Sequence, residues 1–225
     1  MKRVFIVHTS LVSYDELKKL FWELIPEAEV FNIVDDSLLH EVMQNSGINN
    51  KIINRMCKYF DAAAQNGADL ILNQCSSVGE AADIAAKQVC VPVLKMDEAM
   101  AERAVQLGKK IAVVATVAST IKPSCNLILN IAQRESRIVD VTNYLVEGAL
   151  EILLKEINRE KHNKLVLNSI RKAEQECDVI VLAQGSMTVL LPELKDIKKP
   201  VLTSPRLGVE KARKILFPEK KKNNS

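Results

Sequence analysis

The sequence is poor in the residues that several large classes of protein require. Aromatic residues make up only 4% of the 225 residues and do not interleave with basic ones, so a stacking platform for single-stranded nucleic acid is not supported. The formal net charge is only +3, from 31 basic and 28 acidic residues. Part of that excess lies in Lys220, Lys221 and Lys222, which we interpret as a solvated chain end. We therefore expect no nucleic-acid partner.

Cysteine, histidine and glycine are too few or too scattered for the common metal and nucleotide motifs. The five cysteines form no CxxC pair and there are only three histidines, so we expect no metal and free thiols in a reducing cytoplasm. The seven glycines form neither GxGxxG nor GxxxxGK[ST]. No apolar run reaches the roughly 18 residues of a membrane helix, and the N-terminal run is too short for a signal peptide. We expect a soluble protein with no membrane partner.

What the sequence does contain is a regular alternation of short apolar runs and longer amphipathic stretches. The apolar runs predict eight strands, at Val4–Val7, Val30–Val34, Leu70–Leu72, Val91–Leu94, Ile111–Ala115, Ile138–Val141, Val179–Leu182 and Val201–Leu202. The amphipathic stretches predict helices at Tyr14–Leu24, Asn50–Asn66, Val78–Lys87, Glu98–Leu107, Ile121–Arg134, Tyr144–Glu156, Leu165–Glu176 and Arg206–Leu216. Such alternation is typical of βαβ units and parallel sheets. Trp22, on the first of these helices, is predicted to lie in the core.

The chain also repeats itself. KRVFIVHT from Lys2 resembles KKIAVVAT from Lys109, DLILNQCSSV from Asp69 resembles DVIVLAQGSM from Asp178, and PVL recurs at Pro92 and Pro200. The three matches occur in order and at nearly one offset, which indicates a duplicated unit. We predict an α/β fold of two Rossmann-like parallel-sheet halves related by a pseudo-twofold axis. The predicted boundaries are 1–107 and 108–217, followed by a basic disordered tail at 218–225.

Polar and small residues follow the predicted central strands of both halves. Ligands of open α/β sheets bind beyond the carboxyl ends of the strands, where helix N-termini favour anions. We therefore predict that a small carboxylate binds between the halves. The predicted ligand contacts are Thr9, Ser10, Asn73, Ser76, Ser77, Thr116, Ser119, Thr120, Gln184, Gly185 and Ser186. The alternative is that the hydroxyls serve only as caps and turns. His8 either reaches the same cleft or is a core or capping residue.

Cys75 is the candidate catalytic residue. It follows a predicted strand, and Ser77 and Glu80 form an S-x-x-E capping box just after it, which predicts a helix N-terminus beside the thiol. Such a position can lower a thiol pKa from about 8.5 by a unit or more, so that the thiolate acts as a base or nucleophile. The alternative is a buried structural cysteine, which is common at a strand end.

In these residues the chain resembles the aspartate/glutamate/hydantoin racemase superfamily. The resemblance rests on the duplicated α/β unit and on CSSVGEAA from Cys75, PVLKMDEAM from Pro92, KIAVVATVAST from Lys110 and LAQGSM from Leu182. It implies an enzyme without a cofactor, in which two cysteines face each other across the cleft. One removes a proton next to a carboxylate or carbonyl group, and the other returns it on the opposite face. Cys75 matches the first cysteine, but Gln184 occupies the second position, and its amide does not titrate in water.

Three functions remain open. The first is a cofactor-independent isomerase or racemase acting at the α-carbon of a small carboxylic acid or related carbonyl compound, with Cys75 as acid and base. The second is a one-cysteine decarboxylase or lyase. The third is a non-catalytic protein that binds small carboxylates, because fold does not dictate function. We expect a homodimer, the commonest assembly of such proteins.

Overall fold

Two four-stranded parallel sheets form the centre of the molecule. The computed structural model describes residues 1–218, without the side chains of residues 153 and 154. The first sheet has the strand order β2-β1-β3-β4 and the second the order β6-β5-β7-β8. Their bounds are β1 (Lys2–His8), β2 (Ala28–Val34), β3 (Leu70–Asn73), β4 (Val93–Lys95), β5 (Lys110–Ala115), β6 (Asp140–Leu145), β7 (Val179–Leu182) and β8 (Val201–Thr203). The central strands consist of apolar residues buried on both faces, as parallel strands require.

Helices cover both faces of each sheet. Those of the first half are α1 (Tyr14–Leu24), α2 (Ser37–Gln44), α3 (Asn50–Gln65), α4 (Gly79–Ala86) and α5 (Glu98–Leu107), with a 3-10 turn at Ser76–Val78. Those of the second half are α6 (Ala118–Arg134), α7 (Ala149–Glu151), α8 (Arg159–Glu174) and α9 (Ser204–Leu216), with a π-helical turn at Ile152–Glu156 and a 3-10 segment at Gly185–Glu193. Within residues 1–218, no helix is long and apolar enough to cross a membrane.

The strand registers confirm the duplicated α/β fold. Val4 of β1 pairs with both Val30 and Leu70, and its counterpart Ile111 of β5 pairs with Val141 and Val179 in the same way.

An aspartate repeats with the strands. Asp69 accepts a hydrogen bond of 2.8 Å from the Arg3 backbone N–H, and Asp178 accepts one of 2.9 Å from the Lys110 backbone N–H. Hydrogen bonding, chiefly from the Lys2 side chain to Asp69 and from the Lys110 backbone to Asp178, lowers the pKa of both carboxyl groups. The two carboxylates thus fix the start of equivalent strand pairs.

Some expectations from the sequence were wrong. The segment predicted as a helix at Tyr144–Glu156 is helical only from Ala149 onward, because residues 140–145 form the edge strand β6. All residues of β6 are exposed or half-buried, so the strand lacks the apolar pattern of a buried strand. Helix α2 was not predicted. Trp22 is 80% exposed and is not a core residue, because α1 turns Leu17, Leu20 and Phe21 toward the sheet instead.

The expected tail at 218–225 lies, apart from residue 218, outside the described residues.

The last helix of each half packs against the sheet of the other half. Val209, Ala212 and Leu216 of α9 join the core that contains β1, β3 and α1 of the first half. Reciprocally, Met100, Ala101, Ala104 and Val105 of α5 join the core that contains β5, β7 and α6 of the second half. The two halves are therefore tied together by burial of their exchanged helices as well as by the chain itself.

Gly208 allows one of these exchanged helices to approach closely, and this is testable. A Cβ atom at Gly208 would lie only 2.6 Å from the Met96 backbone oxygen of the first half. We expect Gly208→Ala to lower the free energy of unfolding by about 1–3 kcal/mol through overpacking. Gly79→Ala is the matched control, because the nearest atom, Lys95 Cδ, would be 3.7 Å away. It should be neutral or stabilising by up to about 1 kcal/mol. Equal urea midpoints for the two variants would contradict this account.

Candidate functional site

The loop that carries Cys75 meets the N-terminus of a helix from the other half. Cys75 lies directly before the 3-10 turn that follows β3, while Ser119 and Thr120 lie in the first turn of α6. The Ser77 hydroxyl is 3.1 Å from the Ser119 hydroxyl and 3.4 Å from the Thr120 hydroxyl. Asn126 of α6 also donates a hydrogen bond of 3.2 Å to Glu80 of α4. The structure thus brings together, between the halves, four predicted site residues from distant parts of the sequence.

The predicted capping box at Ser77 and Glu80 does not form. Helix α4 begins at Gly79 with Val78 as its N-cap, and no side chain caps it. The cause is the 3-10 turn, which the sequence pattern did not predict and which directs the Ser77 hydroxyl toward α6. Ser13 and Glu16, which have the same S-x-x-E spacing at the start of α1, also form no capping box, since the Ser13 side chain makes no cap hydrogen bond.

Burial and nearby hydrogen-bond donors have opposite effects on the pKa of the Cys75 thiol. Burial, the larger one, raises its pKa above the usual range. The hydroxyls of Thr9 and Ser77 and the backbone N–H groups of Ser77 and Val78 act in the other direction, as donors that favour the thiolate. The expectation of a lowered pKa was therefore wrong in direction, although the expected N–H donors are present. Because its pKa is raised, the Cys75 side chain is a protonated thiol at neutral pH.

Gln184 occupies the position equivalent to Cys75 in the second half. It directly precedes the 3-10 segment that follows β7, as Cys75 precedes the one after β3. Its Oε1 atom accepts a hydrogen bond of 3.0 Å from the Thr116 backbone N–H, and the Thr116 hydroxyl is 3.5 Å away. Thr9 and Thr116 thus contact equivalent side chains, a thiol in one half and an amide in the other. The Gln184 Nε2 atom is buried and has no hydrogen-bond partner among the described residues.

The remaining predicted contacts differ in how they are placed. The Asn73 side chain donates a hydrogen bond of 2.9 Å to the Cys75 backbone oxygen, so it fixes the loop that carries the thiol. Ser10 and Ser76 are half-buried and Ser186 is exposed. Gly185 packs tightly, because a Cβ atom there would lie 3.2 Å from the Ser13 hydroxyl and 3.3 Å from Pro205.

Asp97 is a further polar residue at this site that the sequence reasoning missed. It lies just beyond β4, is only 7% exposed and interacts with the Ser76 side chain. Burial raises the pKa of its carboxyl group, with Ser76 and Lys95 acting against that rise. Asp97, Ser76 and Lys95 line a small cavity of about 60 Å³ that Asn126 and Asn130 of α6 close from the other half. The signal was available, because Asp97 stands at a strand end within PVLKMDEAM.

His8 belongs to the interior of the first half. It is fully buried, and its Nε2 atom is 2.8 Å from the Asn32 Oδ1 atom. Burial lowers the pKa of the imidazole, so the ring is neutral at physiological pH. This placement matches the core alternative for His8.

A model of the Asp/Glu/hydantoin racemase family matches residues 4–212, which is nearly the whole chain. The chain belongs to the Asp/Glu/hydantoin racemase family. Membership in this family supports an enzyme of the racemase or isomerase type. No curated protein matches the sequence at a significant level.

Solved structures share the fold across low sequence identity. An aspartate racemase homologue from Pyrococcus horikoshii superposes with a TM-score of 0.71 at 16% identity, covering 96% of this chain and 99% of that one. A glutamate racemase isoform from Bacillus anthracis gives a TM-score of 0.69 at 13% identity, covering 96% and 84%. Arylmalonate decarboxylase gives 0.60 at 13% identity, covering 97% and 94%. At these identities the likeness establishes the fold.

The environment of Cys75 predicts how its reactivity depends on pH. Because the Thr9 hydroxyl favours the thiolate, Thr9→Val should move alkylation of Cys75 by iodoacetamide to higher pH. Thr116→Val is the matched control, since Thr116 contacts Gln184 in the other half. It should leave the pH dependence of Cys75 unchanged. Mass spectrometry of the peptide that contains Cys75 separates it from the other four cysteines. An equal shift in both variants would refute the role given to Thr9.

Proposed function

We propose that the protein is a cofactor-independent enzyme of the racemase or isomerase type. It acts by proton transfer at the α-carbon of a small carboxylic acid or a related carbonyl compound. The observation that carries this proposal is the placement of the Cys75 thiol among hydroxyl and N–H donors, where the loop after β3 meets the N-terminus of α6 from the other half. Family membership supports the reaction type.

In this proposal Cys75 acts as both acid and base. As a thiolate it removes the α-proton from one face of the substrate, and as a thiol it returns a proton to that same face, so that inversion takes its second proton from a group on the opposite face. The nearby donors stabilise the thiolate when it forms, and the burial that raises the pKa keeps the resting thiol protonated at neutral pH. Desolvation on substrate binding strengthens each of these interactions.

Gln184 holds the substrate in place of a second cysteine. Its Oε1 atom is already bound to Thr116, which leaves the buried Nε2–H group as a donor without a partner. A buried donor of this kind carries a free-energy cost that a substrate oxygen would relieve. A donor aimed at a carboxylate or enolate oxygen stabilises charge that develops during proton removal. The second proton of an inversion then comes from water or from another group.

The same asymmetry favours a decarboxylase or lyase as the second candidate. An enzyme with one proton donor delivers the proton to one face of an enediolate, and only one thiol is present at the two equivalent positions, Cys75 and Gln184. The fold of arylmalonate decarboxylase is consistent with this reading. A protein that binds small carboxylates without turnover remains the third candidate.

Solvent isotope exchange tests the proposal directly. The enzyme is incubated in deuterium oxide with a panel of aspartate, glutamate, hydantoins and arylmalonates, and label at the α-carbon is followed by NMR. Exchange with inversion supports the racemase, and release of carbon dioxide supports the decarboxylase. Cys75→Ser should lower either rate by about 10²–10⁴-fold, the usual contribution of a general acid–base group. Cys90→Ser, at an exposed thiol, should retain full activity. Normal ligand binding without turnover in the unsubstituted protein would leave only the binding function.

A second variant tests the role of Gln184. If the Nε2–H group stabilises developing charge, Gln184→Ala should lower kcat by about 10²–10³-fold, as for other preorganised donors. Gln133→Ala, at an exposed position on α6, is the control and should not change kcat. An effect of Gln184→Ala confined to KM would contradict charge stabilisation and indicate uniform substrate binding.

A further inference from the structure

A groove much larger than the cavity at Asp97 lies between α1 and β2, and Cys75 is not among the residues that line it. Its volume is about 530 Å³, within the range of small-molecule sites. The floor consists of apolar residues of the first sheet and α1, among them Ile6, Ile25 and Val30. Trp22, which is 80% exposed, forms part of its wall.

The groove lies beside a short helix. Helix α1 has 11 residues and is separated from β1 by the loop at residues 9–13, whereas its counterpart α6 has 17 residues and begins soon after β5. Ala28 and Val30 of β2 are only half-buried against the core that includes α1, and both line the groove.

The rim of the groove is cationic. Lys18 and Lys19 both line it, and neither makes an ion pair with any residue in the part of the chain that the structure describes. Asp15 lies one turn earlier on α1 and offsets only part of this charge. Trp22 follows Lys18 and Lys19 at i+4 and i+3, so the indole and the two ammonium groups share one side of the helix.

We propose that this groove binds a small organic anion with an aromatic or acyl body. The apolar floor and the indole would take the body, and Lys18 and Lys19 would take the carboxylate, sulfonate or phosphate group. Charge argues against a second copy as the occupant. A twofold interface places a patch against itself, so the lysines of both copies would face each other. This site is separate from the proposed reaction at Cys75.

Trp22 provides the test, because it is the only tryptophan in the chain. The probe is 1-anilinonaphthalene-8-sulfonate, an aryl anion that accepts energy from an excited indole. We expect saturable quenching of Trp22 together with sensitised emission from the probe, and displacement of the probe by octanoate. Lys18→Gln combined with Lys19→Gln should weaken binding about tenfold, the size of two partly exposed charge contacts. Added salt should weaken it in the same direction.

The matched control is Lys164→Gln combined with Lys172→Gln, two exposed lysines on α8, which should leave the affinity unchanged. Cys75→Ser should also bind the probe normally, so failure of the catalytic proposal would not imitate failure of this one. Equal affinity in all lysine variants, or equal binding of the uncharged probe N-phenyl-1-naphthylamine, would overturn the proposal. So would Trp22 emission that changes with protein concentration in parallel with dimerisation, since a second copy would then cover the groove.

Discussion

The exchange of terminal helices is the constraint on which the rest of the molecule depends. Each sheet has one face that its own half covers only partly, and the last helix of the other half completes that cover. Burial of large apolar areas is the main favourable term in folding, so this exchange fixes the relative position of the halves. It also sets the loops after β3 and β7 against the N-terminal ends of α6 and α1. The small cavity at Asp97, which residues of both halves line, follows from this packing.

The two copies keep their scaffold and differ in the chemistry of their strand ends. Asp69 and Asp178 make equivalent bonds to neighbouring strands, and Thr9 and Thr116 contact equivalent side chains. Cys75, however, corresponds to Gln184, so one half has a thiol at the position where the other half has an amide. Ser76 with Asp97 in the first half likewise contrasts with Gly185 beside Pro205 in the second. Acid–base groups are therefore concentrated on one side of the cleft.

The sequence was a good guide to the fold because strand cores and repeats leave strong local patterns. All eight strands were predicted near their observed positions, since each central strand is a short run of buried apolar residues. The edge strand β6 was partly mistaken for helix, because its residues are half-buried or exposed and carry no clear pattern. Trp22 was wrongly predicted to lie in the core, because a tryptophan beside apolar residues predicts burial. Helix α1 instead turns Leu17, Leu20 and Phe21 toward the sheet.

The site was predicted less completely. Strand ends identified Cys75, Ser77, Ser119 and Thr120, and the structure places the last three within hydrogen-bond reach. The direction of the Cys75 pKa shift could not be predicted, because burial depends on how residues distant in the sequence pack around the loop. Asp97 was not predicted because it follows the edge strand β4, whereas the predicted contacts follow the central strands of each sheet.

The helix exchange also governs the order in which the chain can fold during synthesis. The core around β1 and β3 includes α9, whose residues are synthesised long after those of both strands. Contacts between such distant segments form slowly, because a long loop must close before they are gained. The nascent first half therefore leaves parts of the apolar faces of Val4, Leu70 and Leu94 uncovered until α9 has been synthesised. During that interval these faces are open to chaperones and to association with other nascent chains.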